Sequence, residues 1–136
     1  MITVIDIKDA IDELKMLRGR LAETPEAARK GAFARLSNYR DGGIFAAKFQ
    51  GESPWERHPM GDEIVQIVEG NTTVHLMTDD GPQAVELTAG MVIIVPQNTW
   101  HRFEAPDGVG LITATPQPTQ HLDFAIDDPR TLDKPR

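Results

Sequence analysis

The chain has 136 residues, which suits one domain with a single hydrophobic core. Its net charge of −7 argues against nucleic-acid partners and against an anionic membrane surface, because both are bound through basic patches. The absence of cysteine excludes thiolate metal sites and favours a reducing compartment. The longest purely apolar run is Met91 to Val95, too short to span a bilayer, and no signal peptide is visible at the N-terminus. We therefore expect a cytoplasmic protein.

The N-terminal region is predicted to be helical. Apolar residues recur at steps of three and four over residues 6–21 and form one stripe: Ile7, Ile11, Leu14, Leu17 and Leu21. Asp6 can cap the start of this helix. The other charges of the segment are mixed in sign, with Arg18 and Arg20 close to Asp12 and Glu13, which predicts a solvated outer face. A second, short helix is predicted to begin at Thr24-Pro25-Glu26 and to end near Gly31.

From residue 32 onwards the apolar pattern is typical of β-strands. Gly and Pro separate about eight short strands, predicted at residues 33–40, 44–50, 63–68, 72–77, 84–87, 91–95, 101–105 and 109–115. Asp41-Gly42-Gly43 indicates a hairpin between the first two. Strands without intervening helices predict an all-β sandwich or jelly roll. We divide the chain into a helical extension (residues 1–31), a barrel (32–116) and a tail (117–136) that wraps the surface or frays.

Two short segments carry the chemistry of the chain. The first contains Glu56, His58 and Glu63, and the second contains His101. Glu56 and His58 are two residues apart, so an extended backbone points both side chains the same way. A turn after His58 lets Glu63 open the next strand towards the same interior. Two imidazoles and two carboxylates form a donor set for a divalent ion such as iron, manganese, nickel or zinc.

The spacing of these residues resembles the two motifs of the cupin superfamily. The first motif is Gly, five residues, His-x-His, three or four residues, Glu, six residues, Gly, and here His58, Glu63 and Gly70 match its second His, its Glu and its closing Gly. The second motif is Gly, five residues, Pro-x-Gly, two residues, His, three residues, Asn. Its Gly, Pro and His fall in register on Gly90, Pro96 and His101. The resemblance covers roughly residues 44–115 and implies a double-stranded jelly-roll barrel.

The chain departs from the cupin motifs at four positions. Glu56 stands in the place of the first His, and the opening Gly falls on Gln50, whose neighbour is Gly51. Asn98 replaces the Gly that follows Pro, and Asn is one of the residues that tolerate the left-handed conformation. Ala105 stands in the place of the final Asn.

The resemblance implies one divalent metal ion held by His58, Glu63 and His101. Glu56 is a fourth ligand, a general base beside the metal, or neither. His75 matches no motif position and is expected to be a sheet residue, while His121 lies in the tail. Trp55 and Trp100 are expected to pack or to wall a pocket. Four further residues are candidates for contact with a substrate, and the sequence does not select among them: Tyr39, Arg35, Arg57 and Arg102.

Cupins include enzymes and non-catalytic proteins, so the fold does not define the function. We expect a metal-dependent enzyme, dioxygenase- or isomerase-like, that acts on a small polar organic molecule. The alternative is a non-catalytic cupin that binds or senses a small molecule. A homodimer is also expected, because the apolar stripe of the N-terminal helix must be buried either on its own barrel or on a partner's.

Overall fold

The computed structural model describes residues 1–133, and nine strands within them form one curled sheet. The strands are β1 (Leu17–Arg20), β2 (Phe33–Tyr39), β3 (Gly42–Glu52), β4 (Glu56–Arg57), β5 (Glu63–Thr78), β6 (Gly81–Thr88), β7 (Val92–Val95), β8 (His101–Pro116) and β9 (Gln120–His121). One α-helix, α1 (Ile7–Asp12), and two 3-10 helices, Glu26–Arg29 and Pro129–Asp133, accompany them. The predicted all-β jelly roll is confirmed. No helix in residues 1–133 has the length and apolar character needed to cross a membrane.

The two longest strands, β5 and β8, pair antiparallel over most of their length and form the spine of the barrel. Each was predicted as two separate strands, and each is instead one strand that bends at a glycine. Gly70 has a φ of +73°, and a Cβ built on it would lie 2.3 Å from the carbonyl oxygen of Gly108. Only glycine allows both the backbone conformation and this close approach, so the chain bends while pairing continues on either side.

The interior of the barrel is filled by alternate side chains of these strands. The buried core consists of Ala47, Phe49, Val65, Ile67, Val74, Leu76, Leu87, Val95, Phe103, Ala105, Val109 and Leu111. Val65 and Ile67 lie on the inward face that Glu63 opens, and Phe103 continues the face of His101, as the period of two predicts. The apolar Ala105 therefore suits its place in the core, although the cupin motif has Asn there.

The predicted helix over residues 6–21 is wrong beyond Asp12. The helix is six residues long, and Asp6 caps it by accepting a hydrogen bond from the Asp9 N–H at 3.0 Å. Residues 17–20 instead form β1, which runs parallel to β3 and pairs Leu17 with Phe49. Gly19, with a φ of +65°, cannot belong to a regular right-handed helix. Pairing with a distant strand thus overrides the local helical periodicity.

Three residues of the predicted stripe are nevertheless used for packing. Ile7, Ile11 and Leu14 pack on the outer face of the chain's own barrel, in a cluster that contains Ala46 and Ile112. Leu21, the last member of the stripe, is 52% exposed. The stripe is therefore largely buried within one chain and gives no argument for a dimer.

The other predicted connections need small corrections. The second predicted helix is a 3-10 turn over Glu26–Arg29, with Pro25 just before it. The hairpin between β2 and β3 pairs Tyr39 with Gly42, so its turn is at residues 40–41 and not at 41–43.

The tail folds back over the barrel as far as residue 133. The Leu122 N–H donates to the Trp55 carbonyl at 2.9 Å, and the Trp55 indole N–H donates to the Ile126 carbonyl at 2.7 Å. Asp133 accepts hydrogen bonds from Arg57 and from the Trp100 indole. The tail thus wraps the surface, and residues 134–136 of the predicted segment lie outside the described residues. The three-part division of the chain stays a prediction.

Candidate metal centre

Four side chains converge at one end of the barrel interior. Glu56 lies in β4 and pairs with His101 at the start of β8, while Glu63 is the first residue of β5. His58 lies between β4 and β5. One ligand atom from each of these residues can be chosen so that all four atoms lie within 4.8 Å of one another. The structure therefore brings together every residue that the sequence predicted for the metal site.

Glu63 occupies the centre of this cluster. Its two carboxylate oxygens lie 3.2 Å from the Nε2 atoms of His58 and His101. Glu56 lies slightly farther away, with Oε1 at 3.4 Å from His101 Nε2 and at 4.0 Å from His58 Nε2. The Glu63 side chain is 4% exposed and that of Glu56 25%, so Glu56 is on the more accessible side of the cluster.

Neighbouring groups hold these side chains in place. The His101 Nδ1–H donates to the Thr99 carbonyl at 2.9 Å, which directs Nε2 into the cluster. His58 Nδ1 lies 3.0 Å from the Thr119 hydroxyl. The Thr115 hydroxyl donates to Glu63 Oε2 at 2.6 Å. This pattern, in which the outer atom of each ring is hydrogen-bonded, is typical of metal-ligating histidines.

The second motif also shapes this end of the barrel. Asn98, which stands in the place of the motif Gly, has a φ of +59°, a left-handed conformation that Asn tolerates. Its N–H donates to the His58 carbonyl at 2.9 Å and thereby ties the two motif segments together.

The inner atoms of the cluster lack hydrogen-bond partners. His58 Nε2, His101 Nε2 and Glu63 Oε1 are buried, and none forms a hydrogen bond with another group of residues 1–133. Leaving a buried polar atom unpaired is costly. A divalent ion would satisfy all three atoms at once, and imidazole nitrogens with carboxylate oxygens are suitable ligands for it. The cluster therefore fits a metal ion.

The charges of the cluster are strongly linked. Burial alone would raise the pKa of Glu63, but the imidazoles of His101 and His58, each 3.2 Å from one of its oxygens, outweigh burial and lower that pKa. Burial would likewise raise the pKa of Glu56, yet His101 lowers it. Burial lowers the pKa of His101, while the two carboxylates together raise it well above its usual range. Without metal, the cluster thus retains a proton near His101, which an incoming ion would have to displace.

A cavity of about 550 Å³ opens in front of the cluster. Glu56, His58 and Glu63 lie in its wall. The remaining wall combines apolar side chains, including Phe33, Phe49, Phe103 and Leu111, with polar and charged ones. This volume is within the range of cavities that hold small molecules.

Arg20 also lines this cavity, contrary to the sequence prediction of a solvated helix face. It is only 6% exposed. Its guanidinium carbon lies 4.9 Å and 4.6 Å from the ring centroids of Phe33 and Phe49. Gly19, which disfavours a helix, was the one local signal against the predicted helix.

The other residues singled out from the sequence are not members of the cluster, although His121 in β9 pairs with Glu56 in β4. His75 is within β5, with Nε2 at 3.7 Å from Glu104 Oε1. Arg57 stacks on Trp100 at 4.4 Å and pairs with Asp133. Trp55 and Trp100 are buried under the tail, and Arg102 lies over the Trp55 ring. Tyr39 is exposed. Arg35 and His121 lie in the cavity wall.

An antiparallel jelly roll with two histidines and two glutamates at one end defines a class of metal-site β-barrels. Comparison with known proteins agrees with this description. Residues 45–111 match the family model described as "Cupin domain". The chain belongs to the cupin family.

Individual relatives are similar in sequence or in fold. The uncharacterized protein YdbB of Bacillus subtilis is 30% identical over 89 residues, which cover 65% of this chain and 76% of YdbB. The crystal structure of protein NMB1881 from Neisseria meningitidis has a TM-score of 0.57 and 22% identity, covering 82% of this chain and 96% of that one. Hydroquinone 1,2-dioxygenase from Sphingomonas sp. TTNP3, with 4-hydroxybenzoate bound, has a TM-score of 0.53 and 18% identity over 62% of this chain and 64% of its own. The two structures support the fold.

Proposed function

We propose that the protein is a metal-dependent enzyme that acts on a small polar organic molecule, with dioxygenase- or isomerase-like chemistry. The observation that carries this proposal is the group of three buried ligand atoms without hydrogen-bond partners, on His58, Glu63 and His101. We infer that these residues hold one iron, manganese, nickel or zinc ion. The fold shared with a hydroquinone 1,2-dioxygenase that has 4-hydroxybenzoate bound supports a small-molecule ligand.

Each part of the site has a role in this proposal. When bound, a divalent ion supplies Lewis acidity and a template for the substrate. His58, Glu63 and His101 would hold the ion as a two-histidine, one-carboxylate set, which suits non-haem iron and oxygen chemistry. Glu56 is on the accessible side, where its carboxylate is placed either to complete the ligand set or to move a substrate proton. The apolar side chains in the cavity wall, such as Phe103 and Leu111, are available to contact the apolar part of a substrate.

The alternative is a non-catalytic cupin that binds or senses a small molecule. The observation that favours it is Glu56 itself, because a carboxylate replaces the usual first histidine of the motif. A second carboxylate would reduce the electrophilicity of the ion towards an anionic substrate.

A turnover experiment separates the two functions. Protein loaded in turn with Fe²⁺, Mn²⁺, Ni²⁺ or Zn²⁺ is incubated with small phenols, sugars and carboxylic acids, and products and oxygen uptake are measured. We expect turnover that depends on one of the metals and is lost in His101→Ala. Saturable binding with no product under any metal would support the binding or sensing function instead.

Replacing Glu56 by histidine should change the metal preference without unfolding the barrel. Imidazole is a softer donor than carboxylate, so we expect affinity for Zn²⁺ and Ni²⁺ to rise by about tenfold relative to Mn²⁺. Competition titrations and the coordination spectrum of the Co²⁺ or Mn²⁺ form measure this shift. Glu86→His, at an exposed position in β6, is the matched control. An unchanged metal profile would place Glu56 outside the coordination sphere.

A homodimer and a cytoplasmic location also remain proposals. With the N-terminal stripe buried on its own barrel, support for a dimer comes from the outer face of the sheet. Ile64 in β5 pairs with Ile94 in β7, and both side chains are exposed, as is that of Val92. An exposed apolar group of this kind is common at contacts between subunits.

A further inference from the structure

Arg20 is a buried cation whose guanidinium has no ion-pair or hydrogen-bond partner among residues 1–133. Its side chain reaches the cavity in front of the metal centre and is 6% exposed. Within residues 1–133, no carboxylate forms an ion pair with Arg20 and no acceptor takes a hydrogen bond from its guanidinium; its close contacts there are with aromatic rings. Burying a charge without a counter-ion destabilises a fold. Such a residue indicates a ligand that supplies the missing charge.

The structure positions this guanidinium from several sides. Backbone pairing aligns Arg20 with Gly51 of β3. Gly51 has a φ of +118°, and a Cβ there would lie 2.3 Å from the Arg20 carbonyl oxygen, so β1 approaches closely only because this residue is glycine. The rings of Phe33 and Phe49 hold the guanidinium by cation–π contact, and its N–H groups donate no hydrogen bond to any other part of the described chain.

Arg20 remains charged at neutral pH. Burial, then the nearby Arg29, lowers the pKa of Arg20 to about 10, and Glu56 opposes this shift. Arg29 itself lies 5.3 Å from the Phe33 centroid, also on the cavity wall. A divalent ion would neutralise the charges of Glu56 and Glu63. The guanidinium of Arg20 would then be an uncompensated buried positive charge beside the site.

We propose that Arg20 binds the carboxylate of an organic acid whose apolar body fills the cavity in front of the metal centre. This inference rests on the proposed function and names the substrate class of the same site. The aromatic and aliphatic side chains Phe33, Phe49, Phe103 and Leu111 contact the apolar body of the acid.

A carboxylate matches this arrangement better than a phosphate group does. A guanidinium offers parallel N–H groups that match the two oxygens of a planar carboxylate. Phosphate sites in proteins commonly add backbone N–H groups from a glycine-rich loop or a helix N-terminus. Within residues 1–133, the helix that follows Arg20 in the chain is the 3-10 helix Glu26–Arg29. With four residues it is too short to offer the backbone N–H groups that bind a phosphate.

The test compares acids with their neutral amides. Benzoate, phenylacetate and isovalerate are titrated against benzamide, phenylacetamide and isovaleramide, with metal-free and with Zn²⁺-loaded protein, and amide chemical shifts are followed by NMR. Arg20→Met removes the charge and keeps a long apolar side chain, while Arg20→Lys restores a positive charge without the planar fork. Arg18→Met, at an exposed position of the same strand, is the matched control.

We expect at least one acid to bind the wild type about tenfold more tightly than its amide, since a charge-assisted hydrogen bond contributes roughly this factor. Arg20→Met should lose this preference, Arg20→Lys should recover part of it, and Arg18→Met should behave as the wild type. The melting temperature of Arg20→Met should be unchanged or higher, because an unpaired buried charge is removed. A merely structural arginine would lower the melting temperature and leave the acid–amide ratio unchanged.

The outcomes separate this inference from the proposed function. A preference for acids that persists in Arg20→Met would come from the metal and would overturn the role of Arg20, as would the absence of saturable binding by any acid. If the wild type fails to bind any of the metals but prefers acids in a way that depends on Arg20, the carboxylate site is supported and the metal-dependent function is refuted.

Discussion

His101→Ala is expected to weaken the binding of a divalent metal by roughly 100-fold or more. His101 is fully buried, its Nδ1–H is held by the Thr99 carbonyl, and its Nε2 lies within 3.4 Å of both glutamates. Alanine removes one of two imidazole ligands and leaves Glu56 and Glu63 as unneutralised neighbours. Metal content per chain by elemental analysis, followed by a chelator-competition titration, measures the loss.

His75→Ala is the matched control for this experiment. His75 is also a strand histidine with a buried Nε2, but its neighbour is Glu104 and it lies outside the four-residue cluster. We expect it to retain one metal ion per chain. Full stoichiometry in His101→Ala at the same metal exposure would refute the proposed ligand set. Elemental analysis of wild-type protein purified without added metal would identify the ion.

Removal of the metal is expected to destabilise the native protein substantially. A ligand that binds only the native state stabilises it by mass action, by about 4 kcal/mol when its free concentration is roughly 1,000 times its dissociation constant. For a chain of this size the corresponding decrease in melting temperature is roughly 10–20 °C. The physical origin is the set of buried ligand atoms on His58, His101 and Glu63, which form no hydrogen bond within residues 1–133 and which the ion would bind together.

Thermal unfolding with and without a chelator, monitored by circular dichroism, measures this difference. Adding the ion back in excess over the chelator should restore the original melting temperature. His101→Ala should show a melting temperature that responds little to either treatment. Identical unfolding curves for chelated and metal-loaded wild-type protein would contradict a metal bound specifically to the native state.

The candidate site was predicted from the sequence because its signals are local. Glu56 and His58 are two residues apart and belong to one extended segment, and Glu63 and His101 each open a long strand. Inward and outward side chains alternate along a strand, which placed Glu56 and His58 on one face, and the resemblance to the cupin motifs added Glu63 and His101. The replacement of the motif Gly by Asn98 was expected to be mild because Asn tolerates the left-handed conformation, and Asn98 adopts it with a φ of +59°.

The role of Glu56 could not be predicted from local spacing. The sequence placed Glu56 near the metal but left its role open between ligand and base. In the structure Glu56 Oε1 is close to His101 Nε2, while its side chain is more accessible than that of Glu63. That intermediate position depends on the pairing of β4 with β8, and the spacing of residues 55–63 does not predict this pairing.

The sequence by itself determined the β-barrel and the four clustered side chains, because period, residue type and motif spacing are properties of short segments. Only the tertiary structure decided the secondary structure of residues 17–20. Their apolar spacing was compatible with a helix, and pairing with the distant β3 at Phe49 and Gly51 made them a strand. That pairing turned Arg20 from a predicted surface charge into a buried wall of the cavity, since hydrogen bonds and packing between residues far apart in the chain outweigh the weak local preference.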